Sequence, residues 1–205
     1  MSLFSTAQEQ RVSAAITQAE RDTSGEIVVV VAARSDGYLY VAPLVGALVS
    51  LLVPWPLIYF TQLHIATIYL AQLAVFLILT AAILPPKVRT ALVPGHVKRL
   101  QAHRRAVEQF LAQNLHTTTG QTGVLIFVSV AERYVEILAD TAIDARVPRG
   151  TWTTIVDDLA ATIGKGHPTD GLVAAIAAVG AHLAKHFPPD ARDTNELPNH
   201  LIVLQ

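Results

Sequence analysis

The chain has 205 residues, of which 52% are apolar and 15% charged, with a formal net charge of −1 and no cysteine. A mean hydropathy of +0.42 is too high for an ordinary soluble protein of this length and raises a membrane segment as the first explanation. The near-neutral charge leaves no electrostatic footprint for nucleic acid, and the missing thiols exclude disulfides and thiolate chemistry, which fits a reducing compartment.

Over residues 6–21, Val12, Ala15, Ile16 and Ala19 recur at helical spacing, and Thr23-Ser24-Gly25 stops that helix. The β-branched run over 26–33 predicts a strand buried on both faces, as in the interior of an α/β sheet. No charged residue then occurs between Asp36 and Lys87, a run of 50 positions, which holds two spans of about 20 residues and a turn. Neither 38–60 nor 65–84 shows the polar face expected of a helix in a soluble protein. The expectation is a transmembrane helical hairpin over 38–84. Its turn is placed near Pro54 to His64, where prolines break the helix, Trp55 and Tyr59 suit an interface, and Pro56 can kink the first span.

Orientation follows from basic residues. Arg21, Arg34, Lys87, Arg89, Lys98, Arg99, Arg104 and Arg105 flank the hairpin and none lies in its turn, so a multi-pass protein of the cell (inner) membrane with both termini cytoplasmic is expected. Anionic lipid headgroups are the natural partner of such a patch. Within the hairpin, Ala42, Gly46 and Ser50 form a stripe of small residues suited to close helix packing. The stripe faces either Thr67, Ala71, Gln72 and Ala74 of the second span or a second copy in a homo-oligomer.

After the hairpin, Leu100, Val107, Phe110, Leu111 and Leu115 mark another amphipathic helix, closed by a polar run over 117–123. Strands are predicted over 124–130 and 134–138. The link of Ala131, Glu132 and Arg133 is short enough to demand an antiparallel hairpin. Trp152, Ile155, Val156, Leu159 and Ile163 then define a helix stopped by Gly164, Gly166 and Pro168, and a last helix over 171–187 takes Asp170 as its cap. A strand cut off from its neighbours by a membrane excursion cannot fold alone. The expected organisation is therefore a split cytoplasmic domain over 1–36 plus 87–190, the hairpin over 38–84 and a C-terminal tail over 191–205.

The candidate ligand-binding residues are Glu26, Glu132, Arg133, Asp140 and Asp144. Glu26 and Glu132 are placed at strand edges expected to converge with the loop acids, and a Ca2+ or Mg2+ ion is the cofactor such an oxygen cluster would take. Arg133 would serve an anion. The competing reading is solvated loop acids and a surface arginine, favoured because no EF-hand spacing is present. His182 and His186 lie four apart without the glutamate of a zinc protease motif and read as surface residues near a helix end. No serine elbow and no phosphate-binding glycine loop occurs in the sequence.

Five stretches carry a resemblance: Ser24-Gly-Glu-Ile-Val-Val-Val-Val31, Arg105-Ala-Val-Glu-Gln-Phe110, Thr122-Gly-Val-Leu-Ile-Phe-Val-Ser129, Glu132-Arg-Tyr-Val-Glu-Ile-Leu-Ala-Asp140 and Asp193-Thr-Asn-Glu-Leu-Pro198. In these the chain resembles the TPM domain family, and in particular its bacterial membrane-protein branch, in which a transmembrane hairpin interrupts the domain. The resemblance implies an α/β/α sandwich around a small mixed sheet. Its members are described as phosphatase-like, as calcium binders, or as assembly and repair factors for membrane complexes such as photosystem II. This chain departs from the soluble pattern by having Gln121-Thr-Gly123 for an Asp-Asn-Gly turn and Ala139-Asp-Thr-Ala-Ile143 for a Gly-Tyr-Gly-Leu-Glu loop. An intact fold pattern with two carboxylates missing points to a membrane-anchored interaction or assembly module for membrane proteins. A divalent-metal-dependent phosphatase is the alternative.

Overall fold

The computed structural model describes residues 3–118, 120–148, 150–189 and 196–204. Part of the Asp193 to Pro198 stretch, part of the expected C-terminal tail and Thr119 in the polar run lie outside the described residues. The chain divides into two compact units, residues 1–35 with 99–205, and residues 36–98.

In the first unit, α1 (Thr6–Glu20) starts at a capping box in which Ser5 and Gln8 satisfy each other's backbone N–H groups. Its apolar stripe buries Val12 and Ile16. β1 (Glu26–Ala32) is buried along its whole length, as its unbroken β-branched sequence requires. In the second unit the chain forms α2 (Val41–Ser50), α3 (Pro54–Phe60), α4 (Ile65–Ile83) and α5 (Pro86–Leu92). The first predicted span is thus two helical pieces broken after Ser50. Pro54 opens the second piece, because a residue without an N–H fits a first helical turn better than an interior. The connection between spans is Thr61 to His64, at the far end of the turn region expected from sequence. The stretch Val41–Phe60 and the helix Ile65–Ile83 are long and apolar enough to cross a membrane, each with a mean hydropathy of 2.1.

Ala42, Gly46 and Ser50 are buried in this unit, as the stripe demanded. Their counterparts on α4 differ from expectation: Thr67 and Ala74 are exposed, while Phe76 and Thr80 meet Gly46. The inward face of α4 follows the helical repeat through Gln72, Phe76, Thr80 and Ile83.

α6 (Gly95–Ala112) carries the chain back to the first unit, and a 3-10 turn (Leu115–Thr117) leads to β2 (Gly123–Ser129) and β3 (Tyr134–Ala139). There follow α7 (Thr141–Asp144), α8 (Thr151–Gly164), α9 (Pro168–His186) and β4 (Leu201–Leu204). Asp170 does not cap α9, which begins at Pro168 after His167; it lies in the first turn and pairs with Arg11 at 2.9 Å. The sheet order is β3-β2-β1-β4. β1 runs parallel to β2 from Glu26 opposite Gly123 to Ala32 opposite Ser129, β4 runs parallel to β1, and β3 is antiparallel to β2.

Alternation along β1 and β2 builds two cores. Ile27, Val29, Val31, Val124, Ile126 and Val128 pack with residues of α1, α8 and α9. Val28, Val30, Leu125 and Phe127 pack with Ala106 and Phe110 of α6. This is an α/β/α sandwich around a mixed sheet. Gly180 lets α9 lie close against α1: an added β-carbon there would stand 2.7 Å from that of Ala19.

Candidate functional site

Because β1 and β2 are parallel, the register fixes which loops meet. Ala32 and Ser129 are opposite at the carboxyl end of the sheet, and Glu26 and Gly123 are opposite at its amino end. Glu132 and Arg133 lie in the turn after β2 and so belong to the carboxyl end. Asp140 donates its backbone N–H to the Gly123 carbonyl and so belongs to the amino end, with Glu26. The five candidates are therefore divided between opposite ends of the sheet, and Glu26 and Glu132 do not converge. Seven residues of strand, about 20 Å, separate the two ends.

At the carboxyl end Glu132, 8% exposed, accepts hydrogen bonds from the Ser35 N–H at 3.0 Å and from the Ser129 hydroxyl. The Ser35 hydroxyl donates to Ser129 Oγ at 2.8 Å. This network ties the chain leaving β1 to the β2–β3 turn. A serine beside a carboxylate has the composition of an activated nucleophile, but Ser129 is 1% exposed, which screens its Oγ from any substrate. Arg133 is exposed and adopts a left-handed backbone at φ 52, the geometry that closes the four-residue turn. It borders an open cleft of about 440 Å³ with Ser129, Tyr134, Ala160, Ile163 and Gly164. A crevice at the carboxyl ends of parallel strands is where open α/β sheets hold ligands. Burial first, and the neighbouring Glu136 carboxylate second, push the Tyr134 phenol up to about 12. Glu136 in turn meets His103 Nδ1 at 2.9 Å.

At the amino end Asp140 caps α7, its Oδ1 accepting from the Thr141 N–H at 2.6 Å. Its Oδ2 is buried without a hydrogen-bond partner, and Asp144 is exposed at the far end of the same short helix. Glu26 Oε1 accepts from the Glu196 N–H at 2.9 Å, fastening the segment that enters β4. It lines a polar recess of about 320 Å³ with Glu20, Arg21, Thr23 and Asn199. Glu26, on β1, and Asp140, just past the end of β3, are separated by the width of β2, about 10 Å at the backbone. Among the described residues no three His, Cys, Asp or Glu side chains form a group able to hold a metal ion. His182 packs edge-on against Trp152 with ring centroids 6.3 Å apart.

Sequence reasoning did not single out Ser35, Ser129 or Tyr134. Ser35 reaches Ser129 only through the parallel pairing of β1 and β2, which no spacing rule encodes, whereas Tyr134 stands opposite Ser129 across the β2–β3 hairpin. The one advance signal was the short Ala131-Glu132-Arg133 link, which placed a carboxylate at the strand ends.

Residues 90–182 match the family model for the TPM domain. The match runs from the end of α5 to most of α9, whereas α1, β1 and β4, which complete the layers, come from outside it. The NMR structure of BA42 protein from the psychrophilic bacterium Bizionia argentinensis is similar in fold, with a TM-score of 0.61 at 22% identity over 98% of this chain and 96% of that one. No curated protein matches the chain.

Proposed function

We propose that this chain, which carries a TPM domain, is a membrane-anchored module. Its α/β unit stands at the cytoplasmic face of the inner membrane and serves the interaction, assembly or maintenance of membrane proteins. The observation that supports it is the apolar surface of the two long helices. Phe60 is 86%, Tyr59 75% and Ile65 72% exposed, and none of the apolar window of α4 is buried. A core helix of a soluble protein would hide this surface, and in water so large a patch promotes aggregation. The anchor confines the α/β unit to the bilayer surface, where its natural partners are other membrane proteins. A photo-crosslinking residue at Arg133, facing the carboxyl-end cleft, should capture an integral membrane protein in cells. Persistent absence of any adduct from this position and from the exposed face of α8 would count against an interaction role.

A second reading, a divalent-metal-dependent phosphatase, is favoured by the unpartnered buried Oδ2 of Asp140. It requires metal-stimulated hydrolysis of a phosphomonoester that disappears in Asp140→Asn. Purified full-length protein inactive with Ca2+, Mg2+ and Mn2+ would remove it.

A further inference from the structure

β3 is an edge strand of the sheet and pairs with β2 alone. Asp140, one place past its end, donates its N–H to the carbonyl of Gly123 directly opposite, and bonded pairs alternate along an antiparallel ladder. Tyr134, Glu136 and Leu138 therefore exchange hydrogen bonds with β2, while the N–H and C=O groups of Val135 and Ile137 point to the open side. Such an edge is a template for a further strand. The side chains of Val135 and Ile137 share one core with those of Ile155, Leu159 and Ile163 on α8, so the open edge and the helix form the two walls of a groove.

The cleft of about 440 Å³ lies at the start of β3, where Val130, Val135 and Ile163 line it and Val130 is 47% exposed. Arg133 borders it and is exposed, and among the described residues no ion pair includes it. The neighbouring Glu132 carboxylate is engaged by the Ser35 N–H and the Ser129 hydroxyl. On the α8 side the cleft is open: a β-carbon added at Gly164 would meet nothing within 4 Å.

We propose that this groove receives the free C-terminus of a partner protein, which adds to β3 as an antiparallel strand, sets an apolar last side chain in the cleft and gives its α-carboxylate to Arg133. Each part of the groove selects one part of that occupant. The open edge takes an extended backbone, the valine and isoleucine walls take an apolar side chain, and an unpaired guanidinium takes a carboxylate through two parallel hydrogen bonds. Arg133 comes immediately before β3, so the carboxylate lies at the start of the strand and the added chain runs antiparallel to it. No edge continues beyond that point for a longer chain to follow, which suits a terminus better than an internal segment. The proposal rests on the interaction reading above only for a membrane protein as the source of the terminus; the groove itself is tested with peptides in solution.

Full-length protein in detergent would be screened against a library of octapeptides of random sequence displayed with free C-termini. Selection should enrich an apolar last residue, and fluorescence anisotropy should show the selected peptide binding. Amidating its C-terminus should weaken binding about tenfold or more, the value of a charge-assisted hydrogen bond. Arg133→Gln should weaken it equally, and in that variant amidation should cost nothing further. Gly164→Phe, which fills open space at the end of a helix, should lose the peptide while the melting temperature holds. N-methylation along the peptide should weaken binding at alternate residues only, the mark of strand pairing. No enrichment over an amidated library, or equal binding of the free and amidated peptides, would overturn the proposal. In the crosslinking experiment above, a probe at Arg133 removes the guanidinium, so the exposed face of α8 is the position that leaves this contact whole. Membrane-protein adducts from α8 with no peptide selected would overturn the groove and leave the interaction reading standing, and a selected peptide without such adducts would do the reverse.

Discussion

A β-carbon added at Gly46 would stand 2.5 Å from the Thr80 hydroxyl oxygen and 3.2 Å from the Phe76 carbonyl oxygen, so the contact between α2 and α4 has no room for a side chain. Where lipid tails are as apolar as the helices, such close packing is what holds two spans together. Gly46→Leu should loosen the pair by about 1–3 kcal/mol, the usual cost of overpacking, without preventing insertion. SDS-induced unfolding of the reconstituted protein measures it. The milder Gly46→Ala should be partly rescued by Thr80→Ala, which removes the nearest atom, and a double variant no better than the single one would show that the hydroxyl contact is not limiting. In the α/β unit Glu132 is the corresponding sensitive residue. Glu132→Ala strips the acceptor from the buried Ser35 N–H and Ser129 hydroxyl, and a loss of about 1–3 kcal/mol is expected in thermal unfolding. Glu132→Gln keeps an acceptor and should lose less. Tyr134 gives a pH signature. Its folded pKa, about 12, lies above the ordinary phenol value of 10.0, so the folded state binds the proton more tightly. Its contribution is complete below about pH 10 and lost as pH rises towards 12. Absorbance titration at alkaline pH should show this late phenolate step, and Tyr134→Phe should remove it.

Among the elements, those with a strong local signal were legible in sequence and those made by context were not. β1, β2 and β3 announce themselves as apolar runs bounded by turns; β1 and β2 are buried throughout, while β3, at the sheet edge, is only partly buried. β4 was read as part of a tail. Four residues, Leu201 to Leu204, following Pro198 and Asn199, carry too little periodicity to be told from a loop. They become a strand because β1 offers an open parallel edge from Val29 to Ala32. The helices α5 and α7, of seven and four residues, are likewise too short for a repeat to show. The same limit governs the candidate sites. The acids were identifiable as residue types, but which end of the sheet each occupies depends on the parallel register, and that register follows from a crossover 90 residues long that no local pattern encodes. Removing β4 by truncation after Pro198 should expose the β1 edge and lower the melting temperature, and faster backbone hydrogen exchange confined to β1 would report it.

For the whole molecule, the parallel pairing of β1 with β2 restricts topology more strongly than charge counting does. Residues 26–32 and 123–129 share a continuous ladder, so the two ends of the intervening segment must lie on one side of a membrane, and that segment must cross it an even number of times or not at all. On the membrane reading proposed above, the two helices long and apolar enough to cross supply the even number. On that reading the basic residues on both flanks, with none in the Thr61 to His64 connection, predict the cytoplasm as the shared side. Reporter fusions at Ser35 and at Gln205 should therefore both behave as cytoplasmic, while a tag inserted after Thr61 should be reached from outside by a reagent that does not cross membranes. The two halves of this expectation fail differently. Labelling at Thr61 only in permeabilised cells would mean that the hairpin does not cross and that its apolar surface is covered in another way. A fusion at Gln205 on the outer side with one at Ser35 inside would require β1 and β2 to be separated by the bilayer, which the sheet does not allow.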